Sequence, residues 1–281
     1  MNPLYRDAIL KASQVRKQLG INMFQPLNIF DVCLSLGITV KFVDVNMEGL
    51  YIKQGKESTI LISTQRPFAR RYFTCGHELG HYAFGHGLKV DILLEENTGA
   101  TEVKDKDEIL VDAFSAAFIM PVGGVLAQFA KRDWNIAGAN PLQFYTISSV
   151  FNVGYQTLIT HCKVNALISE QQASALSKLT PAKLFKNYFG IVDDKSHFKI
   201  VDNFFQSTVD LEVGNYVALP IDFIPEEGYL ELVLNSTEDV YVYRAVKAGI
   251  FTVAASSGNS LFVRVQKQNY IGFADYRHFE D

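Results

Sequence analysis

Apolar residues recur at helical spacing over 4–19, where Leu4, Ala8, Ile9, Ala12, Val15 and Leu19 repeat and Gly20 supplies a stop. Beyond Pro26, the residues Ile29, Val32, Cys33 and Leu36 predict a second short helix ended by Gly37. The period then falls to two. Residues 38–45 alternate as a strand, and 49–52 and 58–62 read as two more, joined by the turn-like 53–57. Helical patterning returns over about 67–85 and again from Glu108 to Pro121, where proline stops it. The stretch between, 87–107, is polar and acidic, with Glu95, Glu96, Glu102, Asp105 and Asp107, and reads as a solvated surface loop.

The second half changes character twice. Val125, Leu126, Phe129 and Trp134 mark a packing helix and loop within 122–139. Asn140 and Pro141 open a new unit: apolar helices over 142–150 and 155–164 flank a turn at 151–154, a pattern like a helix-turn-helix. Residues 181–197 read as a connector. From 198 onward strands dominate, at 216–219, 229–234, 240–243, 250–253, 261–265 and 270–273. The expected fold class is α+β: a core of small sheet and helices over 1–139, a helix-turn-helix-like unit over 140–180, and a mainly β domain over 198–281. A sensor or partner-docking role for that last domain is an expectation by analogy.

The chain has 281 residues, 48% hydrophobic and 20% charged, with a net charge of -4. That balance gives no overall electrostatic footprint for nucleic acid. The second helix of the pair, 155–164, carries little positive charge either, so direct DNA binding is disfavoured. Arg6 and Asp7 interrupt any signal-like start. No run approaches the ~20 apolar residues that a bilayer requires. Cys33, Cys75 and Cys162 are scattered and form no disulfide framework, which suits a reducing cytoplasm. The oligomeric state is left open.

The chemistry concentrates at His77, Glu78, Leu79, Gly80 and His81, an H-E-x-x-H run. On a helix, residues four apart share a face, so His77 and His81 can bind one ion together. Glu78 follows the first imidazole directly and can reach a water there without being a ligand, as a general base requires. Leu79, Tyr82, Ala83 and Phe84 make the surroundings apolar, so an unpartnered Glu and His pair would be costly. Cys75 lies about 200° round the helix from His77 and reads as packing. His86 falls one residue short of the third-histidine spacing used by metzincins, so a loop position or a place beside a ligand is preferred.

On the apolar helix that follows, Glu108 and Asp112 are the only acids, four apart on one face. The economical reading makes Glu108 the third ligand and Asp112 the acceptor for the outer N–H of a ligating histidine. The alternative, two acids at an exposed helix start, fits Glu108 better than Asp112.

Together, H-E-L-G-H preceded by Arg-x-x-Phe-Thr and followed by E-x-x-V-D-x-F-S-A-x-x-x-M-P resembles the ImmA/IrrE family of zinc metallo-endopeptidases, over roughly residues 5–121. Val111 and Ser115 stand where the family usually has alanine, and neither is a ligand position. The resemblance implies a zincin-like core, one catalytic Zn2+ on His77, His81 and Glu108, and Glu78 as base and proton shuttle. It implies a protein substrate, a helix-turn-helix repressor of the phage-repressor class, whose loss releases stress or mobile-element genes. A non-proteolytic regulator that binds a repressor or toxin partner is the alternative. An oxyanion donor is needed besides the metal; Tyr51, Tyr72, Tyr82 and His161 stay open for that role.

Overall fold

The structure, a computed structural model, describes residues 3–87, 89–90, 105–193, 195–235, 240–256 and 258–279. Most of the acidic stretch read as a surface loop, 88 and 91–104, lies outside the described residues. The chain divides into two compact units. The first is Met1–Gly124 with Asn269–Tyr276, and the second Val125–Gln268 with Arg277–Asp281.

The first unit opens with α1 (Pro3–Gln18) and α2 (Ile29–Ser35), then β1 (Ile38–Val43), β2 (Gly49–Gln54) and β3 (Glu57–Ser63). It continues with α3 (Phe68–Phe84), the two-residue β4 (Lys89–Val90) and α4 (Lys106–Ile119). The Asn28 side chain starts α2 by accepting from the Phe30 and Asp31 amides, the usual N-cap arrangement. β1 runs parallel to β3, and β2 pairs antiparallel with both β3 and β4. Alternation gives this sheet one apolar face, with Ile38, Val40, Phe42, Ile60 and Ile62 buried. The rings of Phe30, Phe42 and Tyr72 meet edge to face there, centroids 5.4 and 5.6 Å apart.

Two features fix the helices around the site. Arg16 of α1 is fully buried and donates from Nε to the Phe118 carbonyl of α4 at 2.8 Å, with further bonds to the Asn22 and Gln25 carbonyls. Burial lowers its guanidinium pKa to about 10. Meanwhile α3 and α4 meet through glycines. A Cβ on Gly76 would lie 2.6 Å from Ser115 Oγ, and one on Gly80 would lie 2.8 Å from Val111 Cβ. Only glycine permits so close an approach.

Strand reading locates the segment 270–273 correctly but not its partner. The strand shortens to Gly272–Phe273 and pairs antiparallel with β1 of the first sheet, Lys41 opposite Phe273. Alternation specifies a strand and a face; it does not specify which edge the strand joins. The expectation about apolar runs also needs amending. Lys106–Ala130 is long and apolar enough to cross a membrane by length and composition. It is two helices, however, since α4 ends before Pro121 and α5 (Val122–Ala130) begins after it. The α4 residues Val111, Phe114 and Phe118 are fully buried.

From Val125 the chain builds the second unit, with α6 (Pro141–Val150), α7 (Tyr155–Val164), α8 (Glu170–Ser177) and α9 (Pro181–Phe189). Asn140 and Gln143 form a reciprocal capping box at α6. The helix pair expected over 142–164 is present, with Asn152 at φ 56° in the turn between. The stretch read as a connector, 181–197, opens with a helix, α9, capped by Thr180 and ended at Gly190 in the left-handed region. Its polar residues disguised the stripe of Leu184, Phe185 and Phe189, all buried.

The strands follow: β5 (Phe198–Ile200), β6 (Val209–Glu212), β7 (Tyr216–Pro220), β8 (Phe223–Pro225), β9 (Leu230–Asn235), β10 (Val240–Ala245), β11 (Gly249–Ala255) and β12 (Ser260–Gln266). They make two four-stranded sheets, ordered β5-β7-β10-β9 and β6-β12-β11-β8. Tyr145 of α6 stacks on Phe198 of β5 at 4.0 Å and donates to its carbonyl at 2.7 Å, so helices and sheets share one core.

Candidate metal centre

Seventeen residues of helix, α3, carry both histidines. The helix is buried along most of its length, because one side faces the sheet and another faces α4. His77, Glu78 and His81 are 8%, 1% and 1% exposed. Spacing of four residues sets the two imidazoles side by side, with Nε2 atoms 3.3 Å apart and ring centroids 5.1 Å apart.

The close glycine contact described above brings α4 alongside. Glu108, in the first turn of α4, places Oε2 3.1 Å from His77 Nε2 and 3.7 Å from His81 Nε2. One turn on, Asp112 Oδ1 sits 2.9 Å from His77 Nδ1. Both carboxylates turn toward His77. Asp105 caps the helix by accepting from the Asp107 amide, which settles where the first turn begins.

His77, His81 and Glu108 thus offer three ligand atoms within 4.8 Å of one another. Two bonds of about 2.0–2.1 Å at a tetrahedral angle separate their donor atoms by about 3.3–3.4 Å, close to the spacings here. With a proton on His77 Nδ1 toward Asp112, its Nε2 lone pair faces a second imidazole nitrogen and a carboxylate. Three such acceptors repel unless a cation sits among them. The donor set therefore fits a divalent metal.

Glu78 is held from the sheet side. Gly49 opens β2 against it so closely that a Cβ there would lie 2.7 Å from Glu78 Oε1 and from Thr74 Cγ2. The glycine was visible in the sequence as the start of a strand, but its approach to Glu78 is a long-range fact that no local pattern carries.

The remaining candidates separate. The Tyr72 hydroxyl donates to the Leu27 carbonyl and accepts from the Ile29 amide at 3.0 Å, a structural role. Tyr51 is buried with its hydroxyl 3.3 Å from Ser58 Oγ. Tyr82 lines a groove of about 290 Å³ with Leu79 and α1 residues Lys11, Gln14, Val15 and Gln18. His161 belongs to the second unit, buried in α7 and bonded through its carbonyl to Asn165 at 2.8 Å. Lys163 of the same helix lies 3.3 Å from Glu170, which offsets the charge that a phosphate contact would use.

Cys33 and Cys75 are buried in the first unit with sulfurs 3.7 Å apart, as thiols not joined in a disulfide. Cys162 is also buried, and burial pushes its thiol up to about 12, which makes it a poor nucleophile.

Comparison with known families matches residues 33–163 to the Peptidase_M78 family, described as the IrrE N-terminal-like domain. The match contains both α3 and α4, together with α5, α6 and all but the last residue of α7. No curated protein matches the chain.

Proposed function

The chain carries an IrrE N-terminal-like domain of the Peptidase_M78 family, and from that premise we propose that it is a zinc-dependent endopeptidase. His77, His81 and Glu108 would hold the metal, whose donors' mutual spacing suits zinc. Bound there, zinc supplies Lewis acidity, which makes water a better nucleophile at neutral pH and a carbonyl a better electrophile.

The chain's own residues do the rest. Glu78 takes the proton of the attacking water and delivers it to the leaving amine, so that one carboxylate serves as base and then acid. Its burial beside Gly49 restricts it to one orientation and keeps bulk water from competing for the proton. Asp112 holds His77 in the tautomer whose Nε2 points inward.

The observation that carries this reading is the buried carboxylate of Glu78 next to a complete three-donor set. A purely structural metal site uses a fourth protein ligand and has no need of a base. The same point disfavours the alternative, a regulator that only sequesters its partner. The substrate follows from the family resemblance: a protein, and specifically a helix-turn-helix repressor of the phage class, whose cleavage derepresses stress or mobile-element genes. The setting is cytoplasmic.

Incubating the zinc-loaded chain with the repressor encoded nearest its gene, with and without a chelator, tests the proposal. Discrete fragments that vanish with the chelator support it. Intact repressor recovered in complex under both conditions would favour sequestration.

A further inference from the structure

His81 has an outer nitrogen, and what holds it is a third imidazole. α3 ends at Gly85, whose φ of 72° is in the left-handed region that glycine tolerates best. The chain then folds back in a Schellman turn: the Gly85 amide donates to the Tyr82 carbonyl at 3.1 Å, and the His86 amide to the His81 carbonyl at 2.9 Å. The turn delivers His86 Nδ1 to 2.9 Å from His81 Nδ1. The His86 ring stacks on Phe84, centroids 5.9 Å apart and planes 22° apart, and its side chain is 15% exposed. On the far side, His86 Nε2 lies 3.9 Å from Asp107 Oδ1.

Two imidazole nitrogens at hydrogen-bond distance need one proton between them. His81 Nε2 points toward His77 Nε2 and the Glu108 carboxylate. A ligating nitrogen carries no proton, so the proton of His81 belongs on Nδ1. His86 Nδ1 then accepts, and the proton of His86 belongs on Nε2, facing Asp107.

We infer that His86 is the positioning residue for His81, as Asp112 is for His77. The inference deepens the metallopeptidase reading and rests on it. α4 then supplies a ligand (Glu108) and orients one imidazole through Asp112, while the turn that ends α3 orients the other through His86. The one-residue departure from metzincin spacing follows: His86 is needed behind a ligand, not as a ligand.

The test uses the full chain and measures zinc affinity by competition with a chromophoric chelator, alongside long-range 1H–15N spectra of the metal-free imidazoles. His86→Ala removes the acceptor. His86→Asn keeps an acceptor oxygen near the Nδ1 position. The expected result is zinc binding about 10–100-fold weaker in His86→Ala, largely restored in His86→Asn, with His81 in the Nδ1–H tautomer in wild type but not in His86→Ala. Wild-type affinity in His86→Ala, or equal loss in His86→Ala and His86→Asn, overturns the inference while leaving the metal site standing. A wild-type chain that takes up no zinc overturns the metal site and the inference with it.

Discussion

Asp112 Oδ1 and His77 Nδ1 stand 2.9 Å apart across the α3–α4 contact, and that bond ties the orientation of an imidazole to the packing of two helices. In the proposed site the carboxylate would fix the imidazole tautomer and raise its basicity, a contribution to metal affinity more than to fold. Asp112→Ala is expected to weaken zinc binding about 10–100-fold, with a smaller loss for Asp112→Asn. Chelator competition checks it; unchanged affinity in Asp112→Ala would remove Asp112 from the site.

Gly49 crowds Glu78, the proposed base. A methyl group at this residue would sit 2.7 Å from both Glu78 Oε1 and Thr74 Cγ2, so the Glu78 carboxylate must move. Misplacing a catalytic group by about 1 Å can cost on the order of 100-fold in rate. Gly49→Ala is therefore expected to lose about 10–100-fold in turnover while retaining wild-type zinc affinity. Measuring both on one preparation separates displacement of the base from damage to the metal ligands, which would lower the two together.

The second unit carries a pH dependence of its own. Burial holds His278 down to about 3, assisted by Arg277 beside it and opposed by Asp210, 3.8 Å away. The folded pKa lies below the unfolded value, so on acidification the unfolded chain takes up the proton first. The corresponding stability is present above about pH 6.5 and is lost progressively as pH falls toward 3. Between pH 7 and pH 5 the wild type should lose about 2 kcal/mol more than His278→Leu. Urea unfolding of both proteins at the two pH values tests it; parallel losses would show that His278 titrates normally.

What the sequence made legible was local. His77, Glu78 and His81 lie within five residues of helix, so periodicity alone sets them on a common face. Glu108 and Asp112 stood out because an otherwise apolar helix carried two acids a turn apart. The spacing of His86 left it a loop position or a place beside a ligand, but which residue it meets, and what Gly49 meets, were hidden for different reasons. His86 reaches His81 only because Gly85 adopts a left-handed conformation, and Gly49 meets Glu78 only once strand and helix have packed. In the second unit, α9 went unseen because lysines and an asparagine broke up its apolar stripe, while its Thr180 and Gly190 end signals were present in the sequence. The pairing of Gly272–Phe273 with β1 joins residues far apart in the chain, and alternation holds no information about such a partner.

The central claim is that Glu78 acts on a water beside a metal held by His77, His81 and Glu108. Zinc content and substrate cleavage measured side by side on wild type, Glu78→Gln and Glu108→Ala test it most directly. The account predicts one zinc per chain in wild type and in Glu78→Gln, sharply weakened binding in Glu108→Ala, and cleavage by the wild type alone. Cleavage by Glu78→Gln at the wild-type rate, or full zinc retention by Glu108→Ala, would contradict it.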